Sequence, residues 1–171
     1  IIYCADYISK KLDVPAERIG VFGMSHGGYA TMRLVTFPGE VNGNRASFKF
    51  GFGIETAGFC DIIYQHMHSN IPDWTALEAG DPVKDAARLI DRSPLYHAEK
   101  LTGPLLLLHG NHDNRVDIEG SRLLDRKLTH LNLPHRYVEF EGLGHGIKGV
   151  DNNRKFYYEC FRFLDEIESG K

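Results

Sequence analysis

Gly23-Met24-Ser25-His26-Gly27-Gly28-Tyr29 has the pattern G-x-S-x-G, with a further glycine directly behind it. In front of it stands Arg18-Ile19-Gly20-Val21-Phe22, a short apolar run of strand type. Behind it, Ala30 to Val35 contains no helix breaker. A strand, a tight turn and a helix put Ser25 at the apex of the turn, with its hydroxyl projecting beyond the sheet. Small residues are needed there. The nucleophile position is strained in its backbone, and side chains at Gly23 and Gly27 are expected to collide with the flanking strand and helix. The start of the helix also aims free backbone N–H groups at the same place, where they stabilise an anion. With 18 glycines in the chain the five-residue pattern is weak alone, and the strand and helix around it carry the reading.

Working outward, residues 1–12 have apolar side chains at helical spacing, and Val14-Pro15 breaks that pattern. The first strand is expected at 18–23 and the following helix up to about Phe37, closed by Pro38-Gly39. A loop at Asn42-Gly43-Asn44 leads to a second strand from Ser47 to Ile54. Its nearly continuous apolar character suits a strand covered on both faces. From Glu55 to Lys100 the sequence reads as an irregular excursion over a binding site, with one short helix carrying Tyr64 and Met67. Pro104-Leu105-Leu106-Leu107-Leu108-His109 is a buried strand, followed by a helix from Glu119 to about Leu131. A strand at His135–Phe140, a glycine-rich loop at Gly142–Gly146 and a helix at Asn153–Ile167 complete the chain. Strands alternating with helices imply a parallel sheet with right-handed crossovers, hence an α/β fold.

The bulk composition bounds the function. The chain has 171 residues, 42% hydrophobic and 25% charged, which is enough for one domain with a real core. A net charge of −3 makes no electrostatic case for nucleic acid or an anionic membrane surface. No apolar run approaches the roughly 20 residues that span a bilayer. The three cysteines, Cys4, Cys60 and Cys160, are far apart and lack CxxC spacing. They read as free buried thiols of a reducing compartment, so a cytoplasmic location is expected.

In an open α/β sheet the chemistry lies beyond the carboxyl ends of the strands. The first strand ends at Ser25. The strand Leu105–Leu108 runs into His109-Gly110-Asn111-His112-Asp113-Asn114-Arg115-Val116, and the strand ending at Phe140 runs into Gly142-Leu143-Gly144-His145-Gly146. Nucleophile, acid and histidine thus occur in the order Ser25, Asp113, His145, the order of an α/β-hydrolase triad. A serine hydroxyl is a poor nucleophile, so His145 is needed to take its proton as it attacks a carbonyl carbon. Asp113 would hold the other ring nitrogen, and the backbone N–H of His26 would donate to the oxyanion. Asp117 competes with Asp113, and either aspartate also suits the cap of the helix that follows. His109 and His112 read as structural, because His-x-x-His lacks the glutamate and helical setting of a zinc motif; no metal and no cofactor are expected. Trp74 and the aromatics from Phe48 to Phe59 read as core or lid packing.

These motifs, with Ser93-Pro94 ahead of the leucine strand and Asp113-Asn-Arg-Val after it, resemble the catalytic domain of the prolyl oligopeptidase family of serine peptidases. The resemblance runs from about Asp6 to Phe163. It implies an α/β-hydrolase fold, catalytic Ser25, Asp113 and His145, and cleavage of short peptides of the aminoacyl or acylaminoacyl type. It further implies that Arg115 binds a substrate carbonyl and that Val116 stands beside the specificity pocket; Tyr64, on the short helix of the excursion, is a further candidate for substrate contact. Arg115 fits equally well as a salt bridge to a loop carboxylate. Members of the family usually carry a β-propeller and several strands ahead of the nucleophile strand, and their second oxyanion donor is typically a tyrosine from that region. His26 stands where a tyrosine often follows the serine.

Three readings therefore compete: a peptidase, a carboxylesterase on the same fold acting on an ester substrate, and a remnant without catalysis. The chain reads as the C-terminal part of a hydrolase domain. On that reading the strand at 18–23 is an exposed edge, and self-association through it is expected.

Overall fold

The computed structural model describes residues 1–37, 40–41, 44–45 and 48–170. Pro38-Gly39, Asn42-Gly43 and Ser47 lie outside them. Helix α1 (Ile2–Leu12) ends at Asp13 in the left-handed conformation. Strand β1 (Gly20–Met24) leads through Ser25 into α2 (His26–Thr36). Strand β2 (Phe52–Thr56) is followed by three short helices, α3 (Ile62–His68), α4 (Pro72–Ala79) and α5 (Ala86–Arg92), and a 3₁₀ stretch at Pro94–Lys100. Then come β3 (Leu105–Gly110), α6 (Ile118–His130), β4 (His135–Phe140) and α7 (Val150–Ser169).

These four strands form one parallel sheet in the order β1-β2-β3-β4; Glu40–Val41 pairs antiparallel with Asn44–Arg45 as a separate two-residue ribbon, so Asn44, expected in a loop, is paired. Its register aligns Met24 with Thr56, Thr56 with Leu108, and Gly110 with Phe140. Because all four strands of the main sheet run the same way, the turns after them gather at one edge, and this places the site.

The leucine run explains the layering. Leu105, Leu106, Leu107 and Leu108 are all fully buried, and alternate side chains point to opposite faces. Leu105 and Leu107 join Met32, Val35, Leu124 and Leu128 under α2 and α6. Leu106 and Leu108 join Ile54, Phe140, Phe156 and Phe163 under α7. Each such side chain removed from water contributes roughly 1.5–3 kcal/mol. A third cluster of Phe59, Ile62, Leu89 and Val116 anchors the excursion to the sheet edge.

Two expectations are corrected here. The second strand begins at Phe52 rather than in the forties and runs on to Thr56, so Glu55 belongs to it. Phe48 and Phe50 are buried but outside the ladder. The neighbouring backbones close in at Gly51: a Cβ on Gly51 would lie 2.0 Å from the Glu17 carbonyl oxygen, and one on Gly103 1.9 Å from that of Gly51. Pairing begins only here, with Gly51 N–H donating to the Ile19 carbonyl (2.9 Å) just ahead of the ladder. Among the cysteines, Cys60 and Cys160 are buried but Cys4 is exposed on α1, since the helix turns Ala5 inward.

In the described sheet β1 is an outer strand, with Phe22 62% and Met24 41% exposed. Among the described residues, no helix is long and apolar enough to cross a membrane.

Candidate active site

Ser25 joins β1 to α2 with φ 58° and ψ −119°. A serine at positive φ is strained, and the surroundings hold it there. Its N–H donates to the Thr56 carbonyl at the end of β2 (2.8 Å), and its own carbonyl accepts from Tyr29 N–H (3.0 Å). Its side chain makes no cap bond to α2. Of the flanking glycines, Gly23 is sterically required: a Cβ there would lie 2.2 Å from the Gly27 carbonyl oxygen. The collision expected at Gly27 does not exist, because an added Cβ would meet nothing within 4 Å. The close approach is one residue on. A Cβ on Gly28 would lie 2.8 Å from Gly58 Cα and 2.9 Å from Glu55 Oε2, because there α2 packs against the turn that follows β2.

Asp113 sits in the loop after β3 with its side chain fully buried. Its Oδ1 accepts the backbone N–H groups of Arg115 (2.9 Å) and Val116 (3.0 Å). Its Oδ2 lies 2.8 Å from His145 Nδ1 and 3.3 Å from His109 Nε2. Burial alone would raise the carboxyl pKa. The hydrogen bonds from His109, His145 and the two backbone amides outweigh it and hold the group well below the usual carboxylate range. Asp117, the other candidate, accepts from Glu119 N–H (2.8 Å) and caps α6.

His145 stands in the loop after β4, where Gly142 and Gly146 have φ of 72° and 136°. The loop is fixed to the end of β3: His112 N–H donates to the Leu143 carbonyl (2.8 Å), and a Cβ on Gly110 would lie 2.4 Å from that carbonyl oxygen. With Nδ1 donating to the ionised Asp113, Nε2 carries a lone pair and lies 2.9 Å from Ser25 Oγ. Three turns at one sheet edge thus bring Ser25, His145 and Asp113 into one hydrogen-bonded line.

Beside Ser25 lies a cavity of about 360 Å³ lined by His26, Phe59, Gln65, Trp74, Arg115 and Val116, among others. The Arg115 main chain is fixed, its carbonyl accepting from Gln65 Nε2 (2.8 Å) and Ser69 Oγ (2.7 Å). The excursion supplies Phe59, Gln65 and Trp74 as walls. Tyr64 is not brought to this cavity: its ring stacks on His68, 3.8 Å between centroids. Among the described residues, no group of three or more His, Cys, Asp or Glu side chains is placed to hold a metal ion.

Sequence reasoning gave His109 a structural role without its link to Asp113, and passed over Glu55. His109 is fully buried at the end of β3; its Nδ1 faces Ser121 Oγ (2.7 Å) and its Nε2 the Val116 carbonyl (3.0 Å) as well as Asp113. A histidine closing a run of four leucines, four residues before an aspartate, is the signal that points to it. Glu55 is also fully buried; its Oε2 accepts from Gly58 N–H (2.8 Å), and its Oε1 has no partner among the described residues. Burial pushes its carboxyl up to about 8, against the pull of the nearby Gly58 and Leu108 backbone amides.

Residues 1–170 match the family described as "Prolyl oligopeptidase family". The chain belongs to the prolyl oligopeptidase family. Among its relatives, dipeptidyl aminopeptidase BIII of Pseudoxanthomonas mexicana is 29% identical over 164 residues, which cover 91% of this chain and 22% of that protein. Dipeptidyl peptidase 4 of Porphyromonas gingivalis superposes with a TM-score of 0.79 at 27% identity, covering 96% of this chain and 22% of that one. The acylaminoacyl peptidase of Pyrococcus horikoshii superposes with a TM-score of 0.79 at 26% identity, covering 95% and 26%. The chain spans about a fifth of the length of the first of these relatives (22%). The fold of this family member is that of an α/β hydrolase, with a parallel sheet flanked by helices.

Proposed function

We propose that this chain carries the catalytic serine, histidine and aspartate of a peptidase that cuts short peptides, of the dipeptidyl, aminoacyl or acylaminoacyl type. The observation that carries this is the position of His145, 2.9 Å from Ser25 Oγ on one side and 2.8 Å from Asp113 on the other. Nε2 accepts the Ser25 proton as Oγ bonds to the substrate carbonyl carbon, and the carbonyl electron pair moves onto oxygen. Asp113 keeps Nδ1 protonated and offsets the charge of the imidazolium. The His26 N–H, directly after the nucleophile and at the positive end of α2, donates to the oxyanion. The tetrahedral species collapses as imidazolium returns its proton to the leaving amine, giving an acyl-enzyme that water then opens by the same route. The substrate's side chain sits in the cavity beside Ser25, and Arg115, which lines it, donates to a substrate carbonyl.

Reaction with a fluorophosphonate probe tests the nucleophile. Labelling is expected at Ser25 and is expected to disappear in Ser25→Ala. A panel of peptidyl anilides and short aryl esters tests the bond cleaved: anilide hydrolysis supports the peptidase, and turnover of esters alone would transfer the site to an esterase.

A further inference from the structure

His26, Phe59 and Trp74 line two cavities, not one. The first is the cavity of about 360 Å³ beside Ser25. The second, of about 170 Å³, shares these three rings and is otherwise bounded by Tyr29, Ile62, Thr75, Glu78, Ala79 and Arg92. The three rings are therefore the wall between the cavities. Two of them are tied into packed structure. Phe59 is 7% exposed and stacks on Tyr29 (4.8 Å, 9° between planes), and Trp74 packs against the same cluster. His26 is the exposed member, edge-on to Trp74 at 5.3 Å and 6.0 Å from Phe59. Replacing it leaves the packed cluster that holds Phe59 and Trp74 in place.

The second cavity has the lining of a binding site. Tyr29, Phe59, Ile62 and Ala79 give it apolar walls. Thr75 lines it and is 2% exposed, yet its Oγ1 has no hydrogen-bond partner among the described residues. An unpaired buried hydroxyl costs stability; with almost no accessible surface this oxygen is not itself a ligand contact, and Glu78 and Arg92 supply the polar groups of the lining. Aromatic and aliphatic walls with Glu78 and Arg92 at the margin suit an aromatic ring that carries a polar atom.

We propose that the second cavity is a subsite for the distal part of an extended aromatic side chain, and that the His26 imidazole is the specificity-determining residue that controls entry to it. This rests on reading the Ser25 cavity as the place where the substrate's side chain sits. Removing the ring joins the two spaces, so a side chain too long for the first cavity reaches the second. The His26 backbone N–H is unaffected by that change.

The experiment uses the intact protein in a Ser25→Ala background, so that no turnover is needed. It measures the Kd of two matched ligands, Ala-Phe amide and Ala-O-benzyltyrosine amide. His26→Ala is expected to tighten the longer amide by on the order of tenfold relative to the shorter. Adding Ala79→Leu, which fills the second cavity from α4, is expected to remove most of that gain; Ala79→Val is a smaller filling and should remove part of it. Equal changes for both amides, a gain that survives the filling substitutions, or no binding of the longer amide to any variant would each overturn the assignment. Hydrolysis is measured separately with Ser25 present. Ligand selection as described, with no hydrolysis, would sink the peptidase reading and leave the subsite standing.

Discussion

The Asp113 carboxylate divides its two oxygens between separate tasks with respect to His145. Oδ2 lies 2.8 Å from His145 Nδ1, while Oδ1 is occupied by the Arg115 and Val116 amides. An amide side chain at this position has no freedom to choose its orientation. Its oxygen must take the place of Oδ1, because two backbone N–H groups point there, and its NH₂ then faces His145 Nδ1. That forces the imidazole into the tautomer with the proton on Nε2, directed at Ser25. Asp113→Asn is therefore expected to lower kcat roughly 10⁴-fold, with little change in KM or melting temperature. A variant within tenfold of wild type would remove Asp113 from the machinery.

Glu55 makes stability depend on pH. Its ordinary value of 4.5 is raised to about 8 in the fold. Between those values the unfolded chain has lost the proton and the folded chain keeps it, so stability falls as pH rises through this window. The slope approaches about 1.4 kcal/mol per pH unit and levels off above the folded value. Glu55→Gln keeps an acceptor for Gly58 N–H and does not titrate. The melting temperature of the variant minus that of wild type is expected to increase steadily from pH 4.5 to 8. A constant difference across that range would show that Glu55 is ionised in the fold.

Gly27 and Gly28 are adjacent but differ in the space around them. Gly28→Ala puts a methyl group against Gly58 Cα and Glu55 Oε2, and a loss of roughly 1–3 kcal/mol is expected. Gly27→Ala meets no neighbour and stiffens the first turn of α2, so unchanged or slightly raised stability is expected, by up to about 1 kcal/mol. Denaturant melts of the two variants check the order. The reverse order would place the close contact between helix and turn elsewhere.

Leu106 is fully buried between Ile54, Phe140 and the aromatic side of α7. Leu106→Ala is expected to cost roughly 2–5 kcal/mol, and any loss of activity should follow the unfolded fraction rather than kcat of the folded protein. Calorimetry and active-site titration on the same sample separate the two.

The positions that local chemistry dictates were legible in the chain. Glycines around Ser25 between a strand and a helix, four leucines in a row, and a histidine between glycines after a strand each specify their own conformation, because the constraint lies within a few residues. They also give the order of elements and the parallel sheet. What the sequence left open concerns distances between segments far apart in the chain. Asp113 and Asp117 both suit a helix cap, and only the packing of the His145 loop against the end of β3 separates them. Gly23 is required as expected, but which glycine on the helix side is required depends on where the turn after β2 meets α2, so it fell to Gly28 rather than Gly27. The start of β2 at Phe52 coincides with the close approach of Gly51 to Glu17 and Gly103, residues 34 and 52 positions away in the chain. Glu55 looks like a surface carboxylate in a string of letters. It is buried because the parallel register sets Glu55 against Leu107 on one side and Gly23 on the other, and no local pattern encodes that pairing.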